Sequence, residues 1–99
     1  MDMENVIDTP LPAKCEQLAE ECCELAKAAL KISRIVNCVN PTPIKMDDAL
    51  AQLTEEIADV RVCIYALEQN FGAFDTAEIE KRKIERWISR LDGRNEHVS

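Results

Sequence analysis

Apolar residues recur at helical spacing through two long stretches of this 99-residue chain. Both stretches use steps of three, four and seven residues, which place side chains on one face of an α-helix. The first contains Leu11, Leu18, Cys22, Leu25, Ala29, Ile32 and Val36. The second contains Leu50, Leu53, Ile57, Val60, Ile64, Leu67 and Phe71. The spacing predicts an all-α protein with no strands.

Proline sets the predicted limits of the first helix. It is expected to start near Thr9-Pro10, because threonine is a fair N-cap and proline suits the first helical position. A break before Pro12 would instead leave a short leading helix. The helix is expected to stop within Asn37–Asn40, since Pro41-Thr42-Pro43 cannot continue it.

Two further helices follow the proline-containing linker. The second is predicted from about Met46 to Phe71, with Gly72 at its C-cap. The third is predicted to begin at Asp75, because Asp75-Thr76-Ala77-Glu78 has the spacing of a capping box. It is expected to continue to about Leu91 and to end at Asp92-Gly93.

The second helix has more apolar surface than one neighbour can cover. Val62, Cys63, Tyr65 and Ala66 widen its apolar face beyond a single stripe. We therefore expect a small bundle of three to four helices per subunit, completed by association into a homodimer or homotetramer. The chain is predicted to form one domain, residues 1–99, with its core in 9–92. The first few residues and residues 94–99 are expected to be flexible.

Charge and cysteine usage narrow the class of protein. The net charge of −7 disfavours binding to nucleic acid or to an anionic membrane surface. No apolar run approaches the roughly 20 residues of a membrane span, and the N-terminus lacks the basic region of a secretory signal. The five cysteines have no paired spacing, and His97 is the single histidine, so the sequence disfavours a zinc site. These features predict a cytoplasmic protein with reduced thiols.

Two acidic motifs lie in the middle of the two long helices. Residues three apart share one side of a helix, so Glu21 and Glu24 form one pair, and Glu56 and Asp59 form another. Both pairs border the apolar stripe of their helix, where neighbouring helices meet. Four carboxylates brought together repel one another unless a hard cation such as Mg²⁺ or Mn²⁺ binds between them. The alternative is a solvated acidic face, which is common at the edge of amphipathic helices.

The two motifs together resemble the signature of the MazG-like, all-α nucleoside triphosphate pyrophosphohydrolases. That signature pairs Glu-x-x-Glu on one helix with Glu-x-x-Asp on the next, which match Glu21-Cys22-Cys23-Glu24 and Glu56-Ile57-Ala58-Asp59. Lys83-Ile84-Glu85-Arg86-Trp87 looks like the basic segment that the family often carries on its last helix. The resemblance covers roughly residues 14 to 91.

The resemblance implies metal-dependent hydrolysis of a nucleoside triphosphate between the α and β phosphorus atoms. It implies Mg²⁺, or alternatively Mn²⁺, held by Glu21, Glu24, Glu56 and Asp59. Glu21, another glutamate of the first motif, or Glu20 just outside it would orient or deprotonate the attacking water. Lys83 and Arg86 would contact phosphate, although both fit a solvated basic face equally well.

Three alternative functions concern the same residues, and the first of them fits poorly. A ferritin-like di-iron bundle needs Glu-x-x-His on two helices, and this chain has no histidine before position 97. A non-catalytic helical interaction or assembly module would explain the wide apolar stripes without any metal. A relative of narrow specificity, such as a phosphoribosyl-ATP pyrophosphohydrolase, would use the same acidic motifs on a different substrate.

Overall fold

The computed structural model describes residues 8–37 and 45–98, with side chains through residue 93, and three long α-helices lie within these residues. The helices are α1 (Leu11–Asn37), α2 (Met46–Phe71) and α3 (Ala77–Val98). The described residues form no strand, so the predicted all-α class is confirmed for them. None of the three helices has an apolar stretch long enough to cross a bilayer. The prolines of the linker between α1 and α2 lie outside the described residues.

The predicted limits of α2 are confirmed at both ends. Gly72 caps the helix with a φ of 81°, in the left-handed region that glycine adopts without steric cost. Its N–H donates to the carbonyl oxygen of Glu68 at 2.8 Å, which satisfies one of the last free carbonyls of the helix. α1 ends at Asn37, at the first residue of the predicted range.

The ends of α3 differ from the prediction. The helix begins at Ala77, whose N–H donates to Asp75 Oδ1 at 3.3 Å, and the Thr76 hydroxyl donates to the Glu80 carboxylate. The predicted stop at Asp92-Gly93 is wrong, because the helix runs on to Val98. A glycine inside a helix costs only about 1 kcal/mol relative to alanine, and no proline follows it to force an end.

α1 and α2 pack against each other as an antiparallel hairpin with a heptad seam. Along each helix the seam positions follow one another at alternating steps of three and four residues, the a and d positions of a coiled coil. They are Leu11, Lys14, Leu18, Glu21, Leu25, Ala28, Ile32 and Ile35 on α1, and Met46, Ala49, Leu53, Glu56, Val60, Cys63 and Leu67 on α2. All of them are buried or half-buried.

The seam uses only half of each predicted apolar stripe. Every seventh residue from Leu11 and from Leu53 lies in it, whereas the residues four positions further on remain exposed. The exposed set is Cys22, Ala29 and Val36 on α1, and Leu50, Ile57, Ile64 and Phe71 on α2. Except for Ile35, the d positions hold small or polar residues: Lys14, Glu21 and Ala28 on α1, and Ala49, Glu56 and Cys63 on α2. They turn both helices away from the centre of their apolar stripes. The hairpin therefore leaves a continuous apolar surface uncovered.

The buried core of the hairpin is thin. Its most buried apolar residues are small: Ala28 and Ala49 are 2% and 1% exposed, and Cys63 and Ala66 are 9% exposed. No large side chain among the described residues is completely buried. Small residues let the two helix backbones approach closely, but they remove little apolar area from water. Two helices alone thus give a modest hydrophobic stabilisation.

α3 stands apart from the hairpin. It makes no contact with α1 or α2 in the part of the chain that the structure describes. Its apolar side chains are exposed, with Trp87 at 67% and Ile84 at 56%. The radius of gyration is 18.1 Å, whereas a compact chain of this length has about 13 Å. The bundle expected within one chain consists here of two packed helices and one separate helix.

Candidate metal centre

Three carboxylates from two helices converge on one side of the hairpin. Glu21 of α1 and Glu56 and Asp59 of α2 each place a carboxylate oxygen within 4.8 Å of the others. Glu21 and Glu56 are half-buried, and Asp59 is exposed. The structure thus brings together three of the four acids that the sequence singled out.

Helix spacing and hairpin register together produce this convergence. Glu56 and Asp59 are one turn apart on α2, so their carboxylates leave the helix on the same side. The register of α1 against α2 is fixed near one end by Lys14 Nζ, which donates to Asn70 Oδ1 at 2.6 Å. Further along, Lys31 Nζ donates to Gln52 Oε1 at 3.1 Å. Glu21 lies between these two cross-links and so meets the Glu56–Asp59 pair.

Glu56 has the least favourable surroundings of the three acids. Its Oε2 atom is buried and has no hydrogen-bond partner. Burial raises the pKa of this carboxyl above its ordinary value, and the negative charges of Asp59, Glu21, Glu24 and Glu55 raise it further. A buried carboxylate oxygen without a donor is costly. A cation bound among the three carboxylates would remove that cost.

Gln17 orients one of the converging acids. Its side-chain amide Nε2 donates to Glu21 Oε1 at 2.9 Å from one turn earlier on α1. This contact leaves the second oxygen of Glu21 available to a ligand. Gln17 was not predicted from the sequence, although a glutamine four residues before a candidate ligand has the helical spacing for such a contact.

Glu20 and Glu24 lie outside the converging set. Glu24 is exposed and accepts a hydrogen bond from Lys27 Nζ at 3.3 Å. Its charge still contributes to the raised pKa of Glu56. Glu20 is exposed on α1. Of the three acids predicted on α1, Glu21 is therefore half-buried, whereas Glu20 and Glu24 are exposed.

An open groove of about 530 Å³ runs beside the carboxylates. Two of the three acids, Glu21 and Asp59, line it together with Gln17. The remaining lining residues form a largely apolar wall: Thr9, Ala13, Lys14, Val62, Cys63 and Ala66. The groove therefore joins an acidic end to a largely apolar wall that also contains Lys14.

Two groove residues are buried in the seam. Lys14 is only 4% exposed. It was not predicted from the sequence, although a charged residue at the spacing of the apolar seam indicates a buried polar contact. Burial raises the pKa of the Cys63 thiol, and the charges of Glu21 and Asp59 raise it further. The thiol therefore stays protonated near neutral pH.

Lys83 and Arg86 are not near the carboxylates in this structure. Both are exposed on α3, which makes no contact with the described residues of α1 or α2. The predicted phosphate contacts thus belong to a helix that would have to approach the groove from elsewhere.

Comparison with protein-family models, with curated proteins and with solved structures finds no match to this chain. The resemblance to the MazG-like pyrophosphohydrolases therefore rests on the two acidic motifs and on the basic segment Lys83-Ile84-Glu85-Arg86-Trp87.

Proposed function

We propose that this protein is a metal-dependent nucleoside triphosphate pyrophosphohydrolase that releases a nucleoside monophosphate and pyrophosphate. The observation that carries the proposal is the convergence of Glu21, Glu56 and Asp59, with one buried carboxylate oxygen of Glu56 left unpartnered. Three like charges at this separation are unfavourable without a cation.

The donors fit Mg²⁺ or Mn²⁺. Both are hard cations that prefer carboxylate oxygens, and the converging set contains no sulfur or imidazole ligand. Glu21, Glu56 and Asp59 would hold the ion, and Glu24, one turn after Glu21 on α1, is the proposed fourth ligand. When bound, the ion supplies charge neutralisation for the phosphate oxygens and the leaving pyrophosphate.

The remaining roles follow from the positions of nearby side chains. Gln17 holds one oxygen of Glu21 and so keeps its carboxylate directed at the other two. Glu20 is exposed on α1 and directly precedes Glu21 in the sequence. We propose that Glu20, or a first-motif glutamate not engaged as a ligand, accepts the proton of the attacking water. The apolar wall of the groove offers a surface for the nucleoside part of the substrate.

Lys83 and Arg86 are proposed as phosphate contacts, reached when α3 approaches a groove. If they serve this role, Lys83→Ala and Arg86→Ala each raise KM while kcat changes little, because ground-state binding is lost. An unchanged KM in both variants would assign them to a solvated face of α3.

We also propose a cytoplasmic location and no binding to nucleic acid, because the chain is acidic and its thiols are free. Cys15, Cys22, Cys23 and Cys63 are all unpaired in the structure. Free exposed thiols are typical of a reducing compartment.

The direct test is release of pyrophosphate from a panel of canonical, deoxy and modified nucleoside triphosphates. The reaction is run with Mg²⁺, with Mn²⁺ and with EDTA, and the matching monophosphate is measured. We expect metal-dependent release of both products in equal amounts. Phosphoribosyl-ATP belongs in the panel, since a narrow-specificity relative would be active on it alone.

A non-catalytic assembly module is the second candidate, favoured by the exposed apolar residues Ile84, Trp87 and Ile88 of α3. Such a module would show no turnover on any substrate and no response to Mg²⁺. A folded protein with that behaviour would overturn the proposed activity.

A further inference from the structure

The groove beside the carboxylates extends from its acidic end toward the start of α1. Glu21 and Asp59 lie at one end, and Thr9 lies at the other. Gln17 lines the groove between them, four residues before Glu21 and therefore about 6 Å from it along the helix. The hairpin register sets Ala66 of α2 near the same level, so the facing wall is a small apolar side chain.

One contact orients the side-chain amide of Gln17. Its nitrogen Nε2 donates to Glu21 Oε1 at 2.9 Å, so the nitrogen end of the amide is directed at the acids. The carbonyl oxygen Oε1, at the other end of the same amide, accepts hydrogen bonds and does not donate them. Gln17 therefore brings an acceptor to the groove, one amide group away from the carboxylate of Glu21.

An acceptor at this place distinguishes the parts of a nucleotide. Phosphate oxygens are themselves acceptors, so they do not pair with a carbonyl oxygen. Sugar hydroxyls and the N–H groups of bases can donate. The sugar is the nearer of the two, because it carries the phosphates that the acidic end would hold through a metal ion. Within the sugar, the 3′-carbon is bonded to the carbon that carries the 5′-phosphate arm, whereas the 2′-carbon lies one bond further away.

The groove has room for a nucleoside beyond the acids. Its volume of about 530 Å³ lies within the range of small-molecule sites, roughly 300–1,000 Å³. Past Gln17 its wall continues with Ala13, Lys14 and Thr9. A nucleotide with its phosphates at the acidic end thus has its sugar beside Gln17 and its base beside these three residues.

We propose that Oε1 of Gln17 accepts a hydrogen bond from the 3′-hydroxyl of the substrate, so that Gln17 determines specificity for the sugar. The inference rests on the proposed pyrophosphohydrolase activity and adds a substrate class to it. Ribonucleotides and 2′-deoxyribonucleotides carry this hydroxyl and are substrates, whereas 2′,3′-dideoxynucleotides lack it and are poorer ones. The same amide then connects the sugar to a metal ligand, because its nitrogen holds Glu21.

The test compares two substrates that differ only in the 3′-hydroxyl. We measure kcat/KM for a 2′-deoxynucleoside triphosphate and for the 2′,3′-dideoxy form of the same base, at saturating Mg²⁺. The wild type should favour the deoxy substrate by about three- to tenfold, the net contribution of one hydrogen bond. Both substrates carry the same phosphates and base, so this ratio reports the sugar contact separately from the metal site.

Two substitutions separate the sugar contact from the support of Glu21. Gln17→Leu removes both ends of the amide, so activity on both substrates should fall and the ratio should drop to about one. Gln17→Glu removes the donor to Glu21 but keeps an acceptor, so activity should fall while the ratio stays at the wild-type value. If Gln17 only supported Glu21, the ratio would be the same in all three proteins.

Binding of the product provides a readout that does not depend on turnover. Isothermal titration calorimetry at saturating Mg²⁺ gives the Kd of the 2′-deoxynucleoside monophosphate and of its 2′,3′-dideoxy form. The deoxy compound should bind about three- to tenfold more tightly to the wild type and to Gln17→Glu. The two compounds should bind equally to Gln17→Leu.

The outcomes distinguish this inference from the proposed activity. Equal kcat/KM for the two triphosphates in the wild type, or a ratio that Gln17→Leu preserves, would overturn the sugar contact alone. The predicted difference in monophosphate binding without any turnover would overturn the activity and leave the sugar contact in place. Equal binding of the two monophosphates by the wild type, or binding of neither, would overturn the sugar contact.

Discussion

The α1–α2 hairpin has two long sides that differ in composition. We call one the groove side, which carries Gln17, Lys31, Gln52, Asp59 and Ala66. We call the other the apolar side, which carries Cys15, Cys22, Ala29, Val36, Leu50, Ile57, Ile64 and Phe71. On the groove side, Asp59 and Gln17 line the groove together with Glu21 of the seam. On the apolar side, the corresponding positions hold only uncharged residues. Acids thus concentrate where a polar ligand can reach them, and apolar residues concentrate where water can be excluded. One helix pair thus keeps its converging acids apart from a continuous exposed apolar surface.

The largest effect should come from the acids of the groove side. Glu56→Gln and Asp59→Asn remove a charged ligand with little change in shape, so we expect turnover to fall by at least about 100-fold. Glu55→Gln is the matched control, since Glu55 is exposed and outside the converging set. The measurement is the rate of pyrophosphate release at saturating Mg²⁺.

Loss of turnover in Glu55→Gln comparable to that in Glu56→Gln would remove the distinction on which the ligand assignment depends.

A second effect concerns the seam beneath the groove. Lys14→Ala removes the hydrogen bond to Asn70 and the packing of a side chain that is 4% exposed. We expect the free energy of unfolding to fall by about 1–3 kcal/mol. Urea denaturation followed by circular dichroism measures it, and an unchanged midpoint would show that this cross-link does not fix the register.

The third effect concerns the metal-free protein and its pH dependence. The pKa of Glu56 is raised above its ordinary value of 4.5 in the folded state, so the folded state binds this proton more tightly than the unfolded state does. Stability then falls as pH rises from the ordinary value through the raised one. Glu56→Gln removes that loss, so in EDTA at neutral pH the variant should melt above the wild type.

The difference should shrink as pH falls below the ordinary value, where both states carry the proton. A variant that melts below the wild type in EDTA at neutral pH would show that Glu56 is not destabilising without a cation.

The smallest effect is expected at the surface ion pair. Lys27 Nζ lies 3.3 Å from Glu24 Oε1, with both side chains largely exposed. Lys27→Ala should change the free energy of unfolding by no more than about 0.5 kcal/mol, because water and salt screen such pairs. The comparison with Lys14→Ala separates a buried lysine of the seam from an exposed one on the same helix.

The sequence was sufficient for the features that local chemistry decides. Periodicity and Gly72 predict both ends of α2, and the spacing of Glu56 and Asp59 predicts that they share a side. Which half of each apolar stripe packs inside the hairpin was not predictable, because that depends on how Ala28, Ala49 and Cys63 let the helices approach.

The separation of α3 was likewise beyond sequence reasoning. Its apolar residues have helical spacing whether or not a partner is present, so Ile84 and Trp87 are equally compatible with a buried and an exposed face. The end of α3 was missed for a different reason: Gly93 weakens a helix by too little to stop it.

Direct binding of Mn²⁺ tests the metal site most simply. Electron paramagnetic resonance of free Mn²⁺, titrated with wild type, Glu56→Gln and Glu55→Gln, counts bound ions without any substrate. We predict that the wild type and Glu55→Gln bind Mn²⁺ with similar affinity, and that Glu56→Gln binds it at least about tenfold more weakly. Equal binding by all three proteins, or no binding by the folded wild type, would contradict the assignment of Glu21, Glu56 and Asp59 as a metal centre.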